Sequence, residues 1–344
     1  MSKITYKDVI LGAEKDPEDS RDYLAVNYLL KIAQPLSTTV SVVDHQPDMT
    51  PVKNQGPLGS CVAFAVCAVK EWQEKQEHKL EATAIKEYDL SEQWLYYKCK
   101  EIDCWPGMQG TSFRYAMQVL RKSGIPVEQG WSYDPVTRGT PERWAEAVAN
   151  WYKCAAYWRM SSLDEFKTLL VKGPVAIGIT CFDEIFSPVD GVVPLPKRKT
   201  PRGGHAICAV GFSDETRLIK FKNSWGASWG KGGYGFISYD YFSSYCLDAW
   251  YFEDTTFQAS ATPQPSQVST SSTPVVVGKK EKVVMDKIKL VNKLNQLLYV
   301  HMTRNGKDTA VPIVARGMIC INAVELAQSP DIREKIARGF LEKR

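Results

Sequence analysis

Pro51-Val52-Lys53-Asn54-Gln55-Gly56-Pro57-Leu58-Gly59-Ser60-Cys61-Val62-Ala63-Phe64-Ala65 is the stretch on which the reading of this chain turns. Gln55 stands six residues before Cys61, with Gly56, Gly59 and Ser60 between them. After the cysteine, Val62, Phe64, Ala65, Ala68, Val69 and Trp72 recur at helical spacing. The stretch therefore predicts a glycine-loosened loop that delivers a thiol to the first turn of a buried helix. The N-terminus of a helix carries about half a positive charge and unpaired N–H groups, and both favour thiolate over thiol. A nucleophilic Cys61 with a depressed pKa is one reading. A small buried hydrophobe is the other.

The bulk composition narrows the classes. The chain of 344 residues is long enough for one large domain and a smaller one, and its 44% hydrophobic content supports a sizeable core. The net charge of +4 comes from basic and acidic residues well mixed along the chain, which does not suggest a nucleic-acid binder. Nine cysteines occur without a Cys-x-x-Cys pair, so no zinc cluster is expected, and mostly free thiols fit a reducing compartment. The N-terminus lacks a signal-peptide pattern, and no apolar run approaches the roughly 20 residues that span a bilayer. A cytoplasmic location, or carriage within a particle, is the expectation, with no membrane partner.

The chain divides by texture. Residues 1–50 read as a loosely structured lead-in, with a helix over Ala25–Ala33 and an edge strand over Val40–Asp44. Residues 51–255 form the main domain. Its first part is mostly helical: the cysteine helix to Gln76, a second helix capped by Ser91, a third over Ser112–Lys122 stopped by Gly124 and Pro126, and a short one over Pro141–Trp151. The second part is mostly strands, at Ala156–Met160, Gly173–Thr180, Gly204–Phe212, Arg217–Asn223 and Gly232–Tyr239, with a helix over Leu163–Val171. This is an α+β class with the cysteine helix at the junction. Residues 256–282 are a Ser/Thr/Pro-rich linker. Residues 283–344 form a small β-rich module with a hairpin turn at Asn305-Gly306 and a final helix capped by Ser329. No internal repeat is evident.

A nucleophilic cysteine needs a base and a group that orients it. Of the four histidines, His205 stands apart, heading an apolar strand in Gly203-Gly204-His205-Ala206. Gly203 and Gly204 allow other backbone or a substrate to come close. Asn223, one hairpin later, opens Asn223-Ser224-Trp225-Gly226. Its amide oxygen can accept from the imidazole N–H and fix the tautomer, and Trp225 can shield that bond from water. Taken singly, a core histidine is the better reading of His205, and a turn residue is an equally good reading of Asn223.

Taken together, Gln-x5-Cys, Gly-His-Ala and Asn-Ser-Trp-Gly-x-x-Trp-Gly occur in an order that resembles the papain-like (C1) cysteine peptidases over about residues 40–253. Gln55–Ala65, Leu90-Ser91-Glu92-Gln93, Asn223–Gly226 and Gly230-x-x-Gly233-Tyr234 carry the resemblance. It implies a two-lobed fold with Cys61 as nucleophile, His205 as general base and then acid, and Asn223 as orienter. It also implies that the Gln55 side chain and the Cys61 backbone N–H hold the oxyanion. No cofactor or metal is implied. Gly110 takes the place of the glycine strip that pairs with substrate backbone. Gly178 and Ala206, both small, are expected to wall a roomy apolar pocket.

The chain also departs from the family. Leu58 stands where the family has a second cysteine, so the disulfide usual there cannot form and packing alone is expected to hold the loop. Val62 replaces a common tryptophan. No long helical propeptide is present; Pro17–Asp22 with Arg21-Asp22-Tyr23 looks like the lead-in of bacterial, archaeal and viral members. Asp183–Thr200, with Lys197-Arg198-Lys199, precedes His205 either as a solvated loop or as a restriction on access.

The expected activity is a thiol-dependent endopeptidase acting on protein or peptide substrates through an acyl-enzyme. Transpeptidation or deamidation on the same site is an alternative, as is a papain-like fold used as a binding or structural part of a particle. Residues 283–344 resemble small β modules of phage-tail and contractile-injection particles, which implies docking to a larger assembly. A stabilising appendage is the plainer reading.

Overall fold

The structure, a computed structural model, describes residues 9–32, 39–80, 88–103, 105, 107–254, 287–292, 298–304, 307–313, 318–322, 329–337 and 341–343. The chain divides into two compact units, Met1–Phe257 and Gln258–Arg344. Among the described residues no helix is long and apolar enough to cross a membrane.

In the first unit the cysteine helix, α2 (Cys61–Leu80), is the axis. Its residues from Cys61 through Trp72 are buried on every face, as expected of a helix apolar all round. α3 (Glu92–Lys100) begins where the Ser91 hydroxyl accepts the Trp94 N–H at 3.0 Å. α4 (Phe113–Lys122) turns Phe113, Ala116, Met117 and Leu120 inward at i, i+3, i+4, i+7 spacing. α5 (Ala145–Ala149) is shorter than the sequence predicts. The Glu142 N–H is taken by the Gly130 carbonyl, and the helix starts only after Trp144.

The strand half is one seven-stranded sheet. β4 (Cys154–Arg159), β5 (Val175–Cys181), β6 (Gly203–Ser213), β7 (Leu218–Lys222), β8 (Tyr234–Ser238) and β9 (Cys246–Asp254) lie in the order β4-β9-β5-β6-β7-β8. β2 (Val42–Asp44) pairs with β6 antiparallel. α6 (Leu163–Leu170) and α7 (Tyr239–Tyr245) start at Ser162 and Ser238, whose side chains accept backbone N–H groups. Two hydrophobic clusters result. One surrounds α2, α3 and α4, and the other lies under the sheet around Phe166, Ile177, Phe221 and Trp229. The β6–β7 hairpin, with Cys208 opposite Lys222, carries the chain past the end of the sheet to Asn223.

The lead-in differs from the sequence expectation. α1 (Ala25–Lys31) forms as predicted, but the residues before it are not loose. Ala13–Glu14 is a strand, β1, paired in parallel with β3 (Thr111–Ser112), and Ala13 and Asp16 are buried. The cysteines whose side chains are described, Cys61, Cys67, Cys99, Cys154, Cys181, Cys208 and Cys246, form no disulfide.

In the second unit β10 (Lys287–Asn292) lies between β13 (Met318–Asn322) and β14 (Leu341–Lys343), and β11 (Leu298–Arg304) pairs with β12 (Lys307–Ile313). α8 (Pro330–Ala337) is capped by Ser329, whose hydroxyl accepts the Ile332 N–H at 3.1 Å, as predicted. The predicted turn at Asn305-Gly306 and the linker over 256–282 lie outside the described residues.

Candidate active site

Cys61 is the first residue of α2, and its thiol is completely buried. Backbone N–H groups of Ala206, Gly12 and Val62 point to the sulphur and favour its thiolate. Burial opposes them and wins, pushing the thiol up to about 11 rather than down as the helix-terminus argument predicts. The lead-in is part of that cover, with Gly12 against the sulphur.

His205 lies on β6 opposite Ile179 and is also completely buried. Its Nε2 donates to Asn223 Oδ1 at 2.8 Å, the same oxygen that accepts the Ser224 N–H at 2.8 Å. An acceptor on Nε2 leaves the lone pair on Nδ1, which is buried and has no hydrogen-bond partner among the described residues. Trp225 lies over the imidazole with ring centroids 4.6 Å apart, and Phe186 stacks on the indole at 5.6 Å. Desolvation in the closed site pushes the imidazole down to about 4, so burial favours the neutral form of both members of the pair.

Gln55 is buried beside them. Its Nε2 donates to Leu58 O at 2.9 Å and to Ile10 O at 3.2 Å. Its Oε1 accepts the Ser224 hydroxyl at 2.7 Å, and its own N–H reaches Ser224 O at 2.8 Å. Ser224 thus points the carboxamide donor at the cleft, a role that sequence reading missed although the residue stands inside the quoted motif. The loop is not held by packing alone, contrary to expectation. Gly59 N–H donates to Gln109 Oε1 at 2.7 Å, Tyr133 OH donates to Gln55 O at 2.7 Å, and Tyr133 and Ser60 share a hydrogen bond of 2.6 Å. These bonds do locally what a cross-link from position 58 does in the family.

The cleft is filled by Gly12 and Ala13. Thr111 N–H donates to Gly12 O at 2.9 Å. A Cβ on Gly110 would lie 2.6 Å from Gly12 O, and one on Gly204 would lie 2.0 Å from Ala13 O, so both glycines are required by close backbone approach. Gly110 and Gly204 therefore do accept a peptide backbone, here the chain's own. The Gly178 surface is not roomy. A Cβ there would meet Phe113 at 3.1 Å and Leu247 at 3.5 Å, and Asp248 lies opposite Gly178 on β9. The expected open apolar pocket is replaced on that wall by packed side chains and a carboxylate. Ala206 follows His205 on β6 and places its N–H on the sulphur.

A glycine-bounded cleft with a helix-borne thiol on one side and an oriented imidazole on the strand side defines a cysteine peptidase of the papain type. The sequence profile of the papain family cysteine proteases matches residues 36–247, and the chain belongs to that family. An uncharacterized peptidase C1-like protein of Acanthamoeba polyphaga mimivirus is 29% identical over 221 residues, 59% of this chain and 70% of that protein. A viral cathepsin of Spodoptera litura multicapsid nucleopolyhedrovirus is 30% identical over 193 residues, so the chain matches about half (52%) of its length and 54% of its own. Among solved structures, xylellain, a cysteine protease from Xylella fastidiosa, shares the fold with a TM-score of 0.62 at 24% identity, over 72% of this chain and 97% of that one. The Carica candamarcensis cysteine protease CMS1MS2, solved in complex with E-64, is 26% identical with a TM-score of 0.50, over 62% of this chain and 99% of that one.

Proposed function

We propose that this chain is a thiol endopeptidase, captured here with its own lead-in closing the cleft. The observation that carries the reading is the His205–Asn223 pair, which leaves Nδ1 free inside the same dry site as the Cys61 sulphur. In the reaction His205 takes the thiol proton on Nδ1, and the sulphur adds to a peptide carbonyl carbon. The oxyanion is held by Gln55 Nε2 and the Cys61 backbone N–H. The C–N bond then breaks as the imidazolium gives its proton to the leaving amine. Water, deprotonated by the same imidazole, adds to the thioester, and collapse releases the acid and restores the thiol.

Closure supports a latent state. Ile10 O occupies the Gln55 donor, and the Gly12 N–H sits on the sulphur. No substrate carbonyl can enter until Val9–Asp16 leaves. A Cβ on Gly12 would lie 2.2 Å from Gly59 O, so Gly12→Val cannot seat the lead-in. Labelling by an epoxysuccinyl thiol-protease inhibitor is expected to be slow in the natural chain, at least tenfold faster in Gly12→Val, and absent in Gly12→Val/Cys61→Ala. Undiminished labelling after loss of Cys61 would falsify the assignment of the nucleophile. The second unit is read as a docking element for a larger particle, supported by its sequence resemblance to particle modules. Co-purification of a partner with the full chain, but not with a chain ending at residue 257, is the expected result.

A further inference from the structure

Beyond the thiol, the lead-in runs into a buried cluster of charges. The Asp16 carboxylate is completely buried. Its Oδ2 accepts the Arg114 N–H at 3.0 Å in the first turn of α4, Ser112 bonds the same carboxylate, and Arg114 Nη1 lies 3.7 Å from Oδ1. Asp22, six residues later, returns to the same place. It accepts Arg114 Nε at 2.9 Å and Nη2 at 2.7 Å in a two-pronged bond, with Arg159 Nη1 at 3.3 Å. Arg159 also donates to Asp248, whose other oxygen accepts the Asp16 N–H at 2.7 Å.

The ownership of these charges decides what the cluster is for. Arg114, Arg159 and Asp248 belong to α4, β4 and β9 of the folded body, a net charge of +2 − 1 = +1. Asp16 and Asp22 belong to the lead-in and bring the total to +1 − 2 = −1. When the lead-in leaves, two carboxylates go with it. Arg159 keeps Asp248, but Arg114, the Arg114 N–H and the Ser112 hydroxyl all lose their acceptor. Arg114 then presents its fork to the open cleft, and among the described residues every carboxylate it pairs with belongs to the lead-in.

We propose that Ser112, Arg114 and Arg159 form an acid-selecting subsite, so that the peptidase prefers substrates with an Asp or Glu on the acyl side, within about four residues of the cleaved bond. The lead-in is the built-in ligand of this subsite. The span follows from Gly12 at the thiol and Asp16 at the subsite, about 13 Å of extended chain. The acyl side follows from the Gly110–Ser112 strip, which pairs with backbone in the cleft. The proposal rests on the reading of this cleft as the substrate site.

The test uses the full chain carrying Gly12→Val, which opens the cleft. In the Gly12→Val/Cys61→Ala chain, a synthetic peptide of residues 9–24 is titrated against the same peptide with Asn at positions 16 and 22. Binding at least tenfold tighter for the acidic peptide is expected. Arg114→Ala should bring the two to within about twofold, and Arg114→Lys, which keeps the charge but not the fork, should give an intermediate ratio. In the Gly12→Val chain, a peptide library should yield products enriched at least tenfold in Asp or Glu at one acyl-side position, with the preference expressed in KM. Equal binding of the two peptides, a ratio that survives Arg114→Ala, or cleavage without acidic enrichment overturns the proposal. Charge-dependent binding without any hydrolysis would instead overturn the endopeptidase reading and leave the acid subsite standing.

Discussion

Ser224 shows how much of a cleft is decided by one side chain outside the triad. Its hydroxyl and carbonyl hold both ends of Gln55, and without the hydroxyl the carboxamide is free to turn its oxygen toward the oxyanion. Ser224→Ala in the opened chain should lower kcat by about tenfold with KM little changed, since an oxyanion donor acts only in the transition state. It should also cost about 1–3 kcal/mol of stability for the buried oxygen left unpaired. Steady-state kinetics and chemical denaturation check the two effects, and an unchanged kcat removes Gln55 from the oxyanion site. Cys61, His205, Asn223 and Gln55 were legible because spacing and residue type name them. The role of Ser224 is not legible in the same way, because its partner lies 169 residues away in the chain. The state of the thiol is not legible for a different reason. Backbone N–H groups favour the thiolate, but desolvation by burial outweighs them, and burial is a tertiary fact.

Between elements, the catalytic loop is tied to α2 and α3 by Lys53. Its Nζ donates to Glu71 Oε1 and Glu92 Oε1, both at 2.7 Å, and to Leu90 O at 3.2 Å. Burial pushes Glu92 up to about 8, against the pull of Lys53. Lys53→Met would leave two buried carboxylates without their cation, a loss of about 3–5 kcal/mol. A carboxyl whose folded pKa is raised contributes stability that is present at low pH and lost as the pH rises through about 8. The variant should therefore be less impaired at pH 5 than at pH 8, as read by denaturant midpoints, and equal loss at both would assign the damage to packing. The sequence shows the helices marked at Ser91, Ser329 and Gly124, but not α7, although Ser238 caps it, nor β9, because Tyr239–Asp254 has no Gly or Pro to mark the change from helix to strand. That boundary is set by the pairing of β9 with β4 and β5. β1 was missed likewise, since its two residues become a strand only against β3.

For the first unit as a whole, closure of the lead-in is an equilibrium to which each covered acid or base contributes a sign. Burial pushes Asp248 up to about 6 from an ordinary 3.8, and Asp16 in the same direction. Their contribution to the closed form is full at low pH and is lost as the pH rises, for Asp248 through about 6. His205, pushed down from 6.5 to about 4, has the opposite sign: its contribution is full above 6.5 and is lost as the pH falls toward 4. The two trends oppose each other between about 4 and 6.5, so acid alone is a weak trigger for opening. The charged groups acting on Asp248 are Asp16 and Arg159, and burial outweighs the pull of Arg159. Cys61, pushed from 9 to about 11, holds the closed form until the pH passes 9 and then releases it. Hydrogen exchange of residues 9–16, corrected for intrinsic rates, should therefore show little change in protection from pH 6.5 to 4 and a steep loss above pH 9. Asp248→Asn keeps an acceptor for the Asp16 N–H but removes the acid-favoured term. Its protection should fall further than that of the natural chain as the pH drops from 6.5 to 4, because His205 is then opposed by Asp16 alone. Parallel slopes in the two proteins would mean that the buried carboxylate of β9 does not gate the cleft.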